Sequence, residues 1–131
     1  ALTLWQNECA ESYCCFEHFM IESRRGAGWH QFSGLSSPIV QWFSAYYRPG
    51  TLTTGFDAFV RHTDWAPDNS ALNATLDFTA AGRSTVLAVL QPGPKAVTAS
   101  VPCTVTTRHD GLLELTFALD APCTVTISIH S

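Results

Sequence analysis

The chain has 131 residues, a formal net charge of −4 and only 14% charged residues, enough for one ordinary domain or two small pieces. The low, acidic charge excludes a nucleic-acid or anionic-membrane partner, either of which needs clustered Lys and Arg. No apolar run approaches the roughly eighteen residues that a transmembrane helix requires, so no membrane partner is expected.

Composition changes sharply at Arg48-Pro49-Gly50. Ten of the fifteen aromatic residues lie before it; after it come Thr, Val, Ala and short alternating runs. The sequence therefore reads as an α part followed by a β part. Residues 1–20 hold no Gly or Pro, and Trp5, Cys9, Tyr13, Phe16 and Met20 recur at helical spacing. Glu17 falls roughly 80° from the centre of that stripe, at the border of the apolar face. Residues 21–34 read as a loop carrying Gly26, Gly28 and Gly34. Ser37 fits an N-cap and Pro38 a first helical position. Ile39, Trp42, Phe43 and Tyr46 then mark a second helix, which Pro49 ends. Two helices this aromatic need more apolar partners than one hairpin offers. The chain opens at Ala1 already on a helical pattern, and the expectation is the end of something longer.

From residue 72 the pattern becomes strands and turns. Candidates are 72–79, 85–90, 96–101, 103–107, 112–119 and 123–130, with Asp110-Gly111 as a hairpin turn. Short strands at this spacing suggest an antiparallel β-sandwich, with Val105, Leu113, Leu115, Phe117, Val125, Ile127 and Ile129 as its core. The fold class is thus α+β: an N-terminal helical hairpin over 1–49, a linker over 50–71 packed across the junction, and a β-sandwich over 72–131. Pro102-Cys103-Thr104-Val105-Thr106 recurs as Pro122-Cys123-Thr124-Val125-Thr126. The two cysteines are either adjacent and bonded or two buried thiols. The five cysteines show neither CxxC nor Cys/His zinc spacing, so no metal and no cofactor is expected. Those before residue 20 read as buried small hydrophobes.

Glu17 is the first candidate for chemistry. A carboxylate at the edge of an aromatic surface has its ionised form disfavoured, which suits acid–base work. The plain alternative is a solvated surface residue, which is how Glu8 and Glu11 read. Trp29 and His30 sit in a glycine-flanked loop, where an indole can carry the apolar face of a sugar ring and the imidazole can bind a hydroxyl. Glu22, in the same loop, can hydrogen-bond a sugar hydroxyl. Arg24 and Arg25 read as a solvated loop, and His62, His109 and His130 as scattered. Asn73-Ala74-Thr75 is an N-glycosylation sequon, relevant only to a secreted chain.

Phe16-Glu17-His18-Phe19, the loop at 22–28 and Phe32-Ser33-Gly34-Leu35-Ser36-Ser37 together resemble the last active-site segment of six-hairpin, (α/α)6-barrel glycoside hydrolases. The nearest groups are the mannosylglycerate-hydrolase-like enzymes, processing α-glucosidases and trehalases. In them an aromatic-Glu-Asn/Lys-Tyr step precedes a Gly-rich loop and the final barrel helix. The resemblance covers residues 1–50, and a β-sandwich tail occurs in some relatives. It implies that residues 1–49 are the last helices of such a barrel. It also implies that Glu17 is the catalytic base of an inverting mechanism. His18-Phe19 replaces the usual Asn/Lys-Tyr, and Arg25 stands where an acidic residue is common. The family's general acid lies upstream and has no counterpart here, so the isolated chain is expected to be inactive. The expected partners are a carbohydrate substrate with an α-linked sugar and the remaining N-terminal part of the enzyme or another chain. The alternative is a non-catalytic β-sandwich that serves binding or assembly and carries an aromatic helical hairpin.

Overall fold

Two helices and ten strands, with every strand pair antiparallel, are found among the described residues. The computed structural model of the chain describes residues 2–12, 16, 18–28 and 33–131, the side chains of 2, 12 and 33–36 excepted. The chain is α+β and divides into two compact units, Ala1–Ser44 and Ala45–Ser131. The first holds α1 (Leu2–Ser12), the short strands β1 (His18–Phe19) and β2 (Gly26–Ala27), and most of α2 (Ser33–Tyr47). The second holds β3 (Thr51–Thr54), β4 (Ala58–Trp65), β5 (Leu72–Phe78), β6 (Gly82–Val89), β7 (Ala96–Ala99), β8 (Cys103–His109), β9 (Leu112–Leu119) and β10 (Cys123–His130).

The helical unit departs from its sequence reading in two places. The helix expected through residue 20 ends at Ser12, and His18-Phe19 pairs instead with Gly26-Ala27. The reversal is tight: the Met20 N–H donates to the Arg25 carbonyl, and the Arg24 N–H to the Met20 carbonyl. The residues expected to form a plain loop are therefore a small hairpin. The second helix begins at Ser33, not at a Ser37 cap, so Pro38 lies inside it. Pro38 has no N–H to give the Gly34 carbonyl, a cost best borne near a helix start.

In the second unit alternation sets the strands. Along β10, Val125, Ile127 and Ile129 are buried while Thr124, Thr126 and His130 are exposed. β5 alternates in the same way through Leu72, Ala74, Leu76 and Phe78. One sheet has the order β4-β5-β10-β7 and the other β3-β6-β9-β8. Their inward side chains form one apolar core, which includes Leu76, Phe78, Val86, Leu115, Phe117, Val125 and Ile127. The Phe78 and Phe117 rings, one from each sheet, lie 5.3 Å apart. The Asp110-Gly111 turn joins β8 to β9. Gly111 is in the left-handed region, and a Cβ there would stand 2.6 Å from the Leu90 carbonyl oxygen.

Residues 50–71, expected to be a linker, instead supply β3 and β4, an edge strand of each sheet. Their signal is weak because an edge strand buries little. β4 exposes Phe59, Val60, Arg61 and His62 in succession. Val105, expected in the core, is 40% exposed, whereas Val125 is fully buried. The repeated pentapeptides diverge because β10 is flanked on both sides and β8 on one. Cys103 and Cys123 lie in different sheets and are free thiols, so the bonded alternative is excluded. Burial pushes the Cys103 thiol pKa up.

Two edges are blunted in the same way. The register shifts at Arg61 in β4 and at Arg108 in β8. Each bulged arginine turns back to a carboxylate on the neighbouring strand: Arg61 Nε to Asp77 at 2.7 Å, and Arg108 Nε to Glu114 at 2.6 Å. His109 follows the second bulge. One of its ring nitrogens lies 2.6 Å from the Tyr46 carbonyl oxygen and the other 3.0 Å from that of Asp110. Its ring stacks on Tyr47 at 5.0 Å. The Tyr46 carbonyl is among the last four of α2, which lack an intrahelical donor.

Phe117→Ala is expected to cost about 3–5 kcal/mol in urea unfolding, because it empties a fully buried site. Val105→Ala at the exposed edge should change stability by no more than about 1 kcal/mol. Acid provides a second check. Hydrogen bonds from Thr124 and then Arg61 hold the Asp77 pKa low, and Arg108 does the same for Glu114. Both carboxylates are favoured as ions in the fold. Their contribution is present above their unfolded pKa and is lost as the pH falls through the lower folded value. Stability should therefore decline below about pH 4, and less steeply in an Asp77→Asn, Glu114→Gln variant.

Candidate functional site

The last turns of α1 place Glu8 and Glu11 three residues apart, on neighbouring positions of one helix face. The β1–β2 hairpin comes back against them. The Arg25 guanidinium donates to Glu8 Oε1 at 3.1 Å and also to Glu11. The Gly26 N–H donates to Glu8 Oε2 at 3.0 Å. Glu8 is consequently 5% exposed, not the solvated surface residue its sequence context indicates. Arg25 is likewise bound and not a free loop cation. Glu11, by its hydrogen bond, and then Glu8 hold the Arg25 pKa above its ordinary value.

The hairpin has no slack at Gly26. A Cβ there would fall 2.1 Å from the buried Phe16 ring. Turn residue Arg24 has a φ of 58°, a left-handed conformation that strains most side chains. A groove of about 460 Å³ runs along this junction, lined by Asn7, Glu8 and Glu11 of α1 and by Ser23 to Arg25 of the turn. It holds two carboxylates, but one guanidinium engages both. That arrangement ties both carboxylates to one cation and fixes the loop; it does not set up an acid beside a base.

Of the sequence candidates, Glu22 lies in the exposed turn between β1 and β2. Glu17, Trp29 and His30 lie outside the described residues. The turn that carries Glu22 is the one fastened by Arg25. Sequence reading missed the Glu8–Arg25–Glu11 clamp. Its available signal was two carboxylates at i and i+3 on α1, followed by a paired Arg24-Arg25 beside a glycine. Among the described residues, no group of three or more His, Cys, Asp or Glu side chains could hold a metal ion. Among the same described residues, no helix is long and apolar enough to cross a membrane.

Comparisons with family models, with curated proteins and with solved structures found no match to this chain.

Glu8→Ala leaves the Gly26 N–H without its acceptor in a part-buried setting. Hydrogen-exchange protection of the Gly26 amide should fall on the order of tenfold or more. Glu11→Ala removes only an exposed ion pair and should lower protection less.

Proposed function

We propose that this chain is the C-terminal portion of an inverting glycoside hydrolase that acts on an α-linked sugar. Residues 1–49 are then a helical hairpin, the last helices of an (α/α)6 barrel. The two sheets are a β-sandwich tail. The observation that carries the reading is α2. Over its fifteen residues it has no charged side chain, and Val40, Trp42, Phe43, Tyr46 and Tyr47 are all at least 41% exposed. A helix that is apolar over most of its girth belongs inside a larger helical layer. The crevice between α1 and α2, lined by Trp5, Gln6, Ile39, Val40 and Phe43, is mostly apolar as well.

In this reading Glu17 is the base. It takes a proton from the water that attacks the anomeric carbon on the face opposite the leaving group. The general acid comes from upstream sequence or another chain. The two carboxyl groups then stand roughly 6.5–9.5 Å apart, leaving room for that water. Trp29 carries the apolar face of the sugar ring, while His30 and Glu22 bind its hydroxyls. The Arg25 clamp supports this assignment of roles, since it fixes the loop that follows Glu17 to α1.

Glu17→Gln keeps the shape of the side chain and removes its basicity. In the enzyme complete with its upstream part, it should lower turnover by about 10²–10⁴-fold with little change in substrate binding. The measurement is hydrolysis of a panel of α-glucosides and α-mannosides by both versions. Near-full activity in Glu17→Gln would remove Glu17 from the role of base. A complete wild type that cleaves no glycoside leaves the non-catalytic binding or assembly module as the better reading.

A further inference from the structure

The outer face of the sheet β4-β5-β10-β7 holds a concavity of about 370 Å³. Its polar lining includes His62, Asn73, Thr75, Thr98, Thr126 and Ser128, with Ser100 and the apolar Ala74, Ala99 and Ile127 between them. Register explains the gathering. His62 pairs with Thr75, and Thr75 with Thr126. Asp64 pairs with Asn73, Asn73 with Ser128, and Ser128 with Thr98. Two polar ranks therefore cross the sheet. Strands lie about 4.8 Å apart, and the ranks, two residues apart along each strand, about 7 Å apart.

Among the described residues, none of these six side chains is committed to another protein group. The next rank of the same face is different: Asp77 accepts hydrogen bonds from Thr124 and Arg61. Phe59 stands opposite Asp77 on that rank and is 63% exposed. The face thus combines four hydroxyls, an amide and an imidazole, all uncommitted, with an exposed aromatic ring at its edge.

We infer that this concavity binds a neutral oligosaccharide chain. The lining chooses the class. A phosphate or sulfate needs Arg or Lys, and the six side chains include neither. A divalent cation needs clustered carboxylates or histidines. A wholly apolar ligand would leave these hydroxyl, amide and imidazole groups without partners. Closely spaced hydroxyl and amide groups match the alternating donors and acceptors of sugar hydroxyls, and Phe59 offers a flat apolar surface to a ring face. The site goes beyond the proposed hydrolase function and uses none of its residues.

The test uses the 131-residue chain made without glycosylation, because Asn73 is also the acceptor of the Asn73-Ala74-Thr75 sequon. Mobility is measured in native gels containing soluble starch or α-mannan, and binding of maltoheptaose by calorimetry. The wild type should be retarded by at least one polysaccharide. Asn73→Ala/Thr98→Ala should weaken that binding at least about tenfold with an unchanged melting temperature. Thr98→Val, on an edge strand, should weaken it several-fold and serves if the double variant does not fold. Thr106→Ala, on the other sheet, should bind as the wild type does. A wild type that ignores both polysaccharides and maltoheptaose overturns the inference. So does a folded Asn73→Ala/Thr98→Ala or Thr98→Val protein of wild-type affinity.

Discussion

Everything in the second unit depends on the two sheets sharing one dry interior. Phe78 and Phe117 meet there across the sheets, and Leu76, Leu115 and Val125 close around them with no exposed surface. Side chains on a strand alternate faces, so committing these residues inward commits their neighbours outward. Burial of Leu76 and Phe78 places Thr75 and Asp77 on the wet face; burial of Val125 and Ile127 places Thr126 and Ser128 there. The polar ranks proposed to bind sugar are thus the obverse of the core. A slip of one residue would destroy both at once.

Among the described residues of the first unit, charge fastens the hairpin to α1. Glu8 is buried because two donors from one short hairpin, the Arg25 guanidinium and the Gly26 N–H, satisfy its carboxylate. A buried carboxylate that lost one of these donors would carry a larger desolvation cost. This arrangement keeps the hairpin against α1 although each of its strands has only two residues. The aromatic residues of α2 contribute little burial in exchange, since Trp42, Phe43, Tyr46 and Tyr47 remain largely accessible.

Where alternation was strict, the fold was legible. The strands over 72–131 stand where the pattern of Val, Ile, Leu and Thr places them, within a few residues at their ends. The edge strands β3 and β4 were not legible, because pairing along one side leaves the outward side chains free to be anything. Val105 misled for the same reason: its local sequence matches that of Val125, and only strand order separates them. In the helical unit the periodicity of Trp5, Cys9, Tyr13, Phe16 and Met20 suggested one long helix. The competing term was non-local, since the hairpin returns to Glu8 from 17 and 18 residues away. The clamp was therefore invisible to spacing rules, and its Glu8 and Arg25 read as surface charges.

His109 has a consequence for the order of folding. It meets the end of α2 across 63 residues of chain. A helix end that relies on so distant a contact cannot be finished locally. Its last carbonyls wait, bound to water, until the Asp110-Gly111 turn has closed and β8 and β9 have paired. Contacts of such sequence separation carry a large loop-closure entropy and form late. As the chain is synthesised, the aromatic end of α2 emerges well before the residue that secures it. The end of α2, which belongs to the second compact unit, is thus completed together with that unit's sheets.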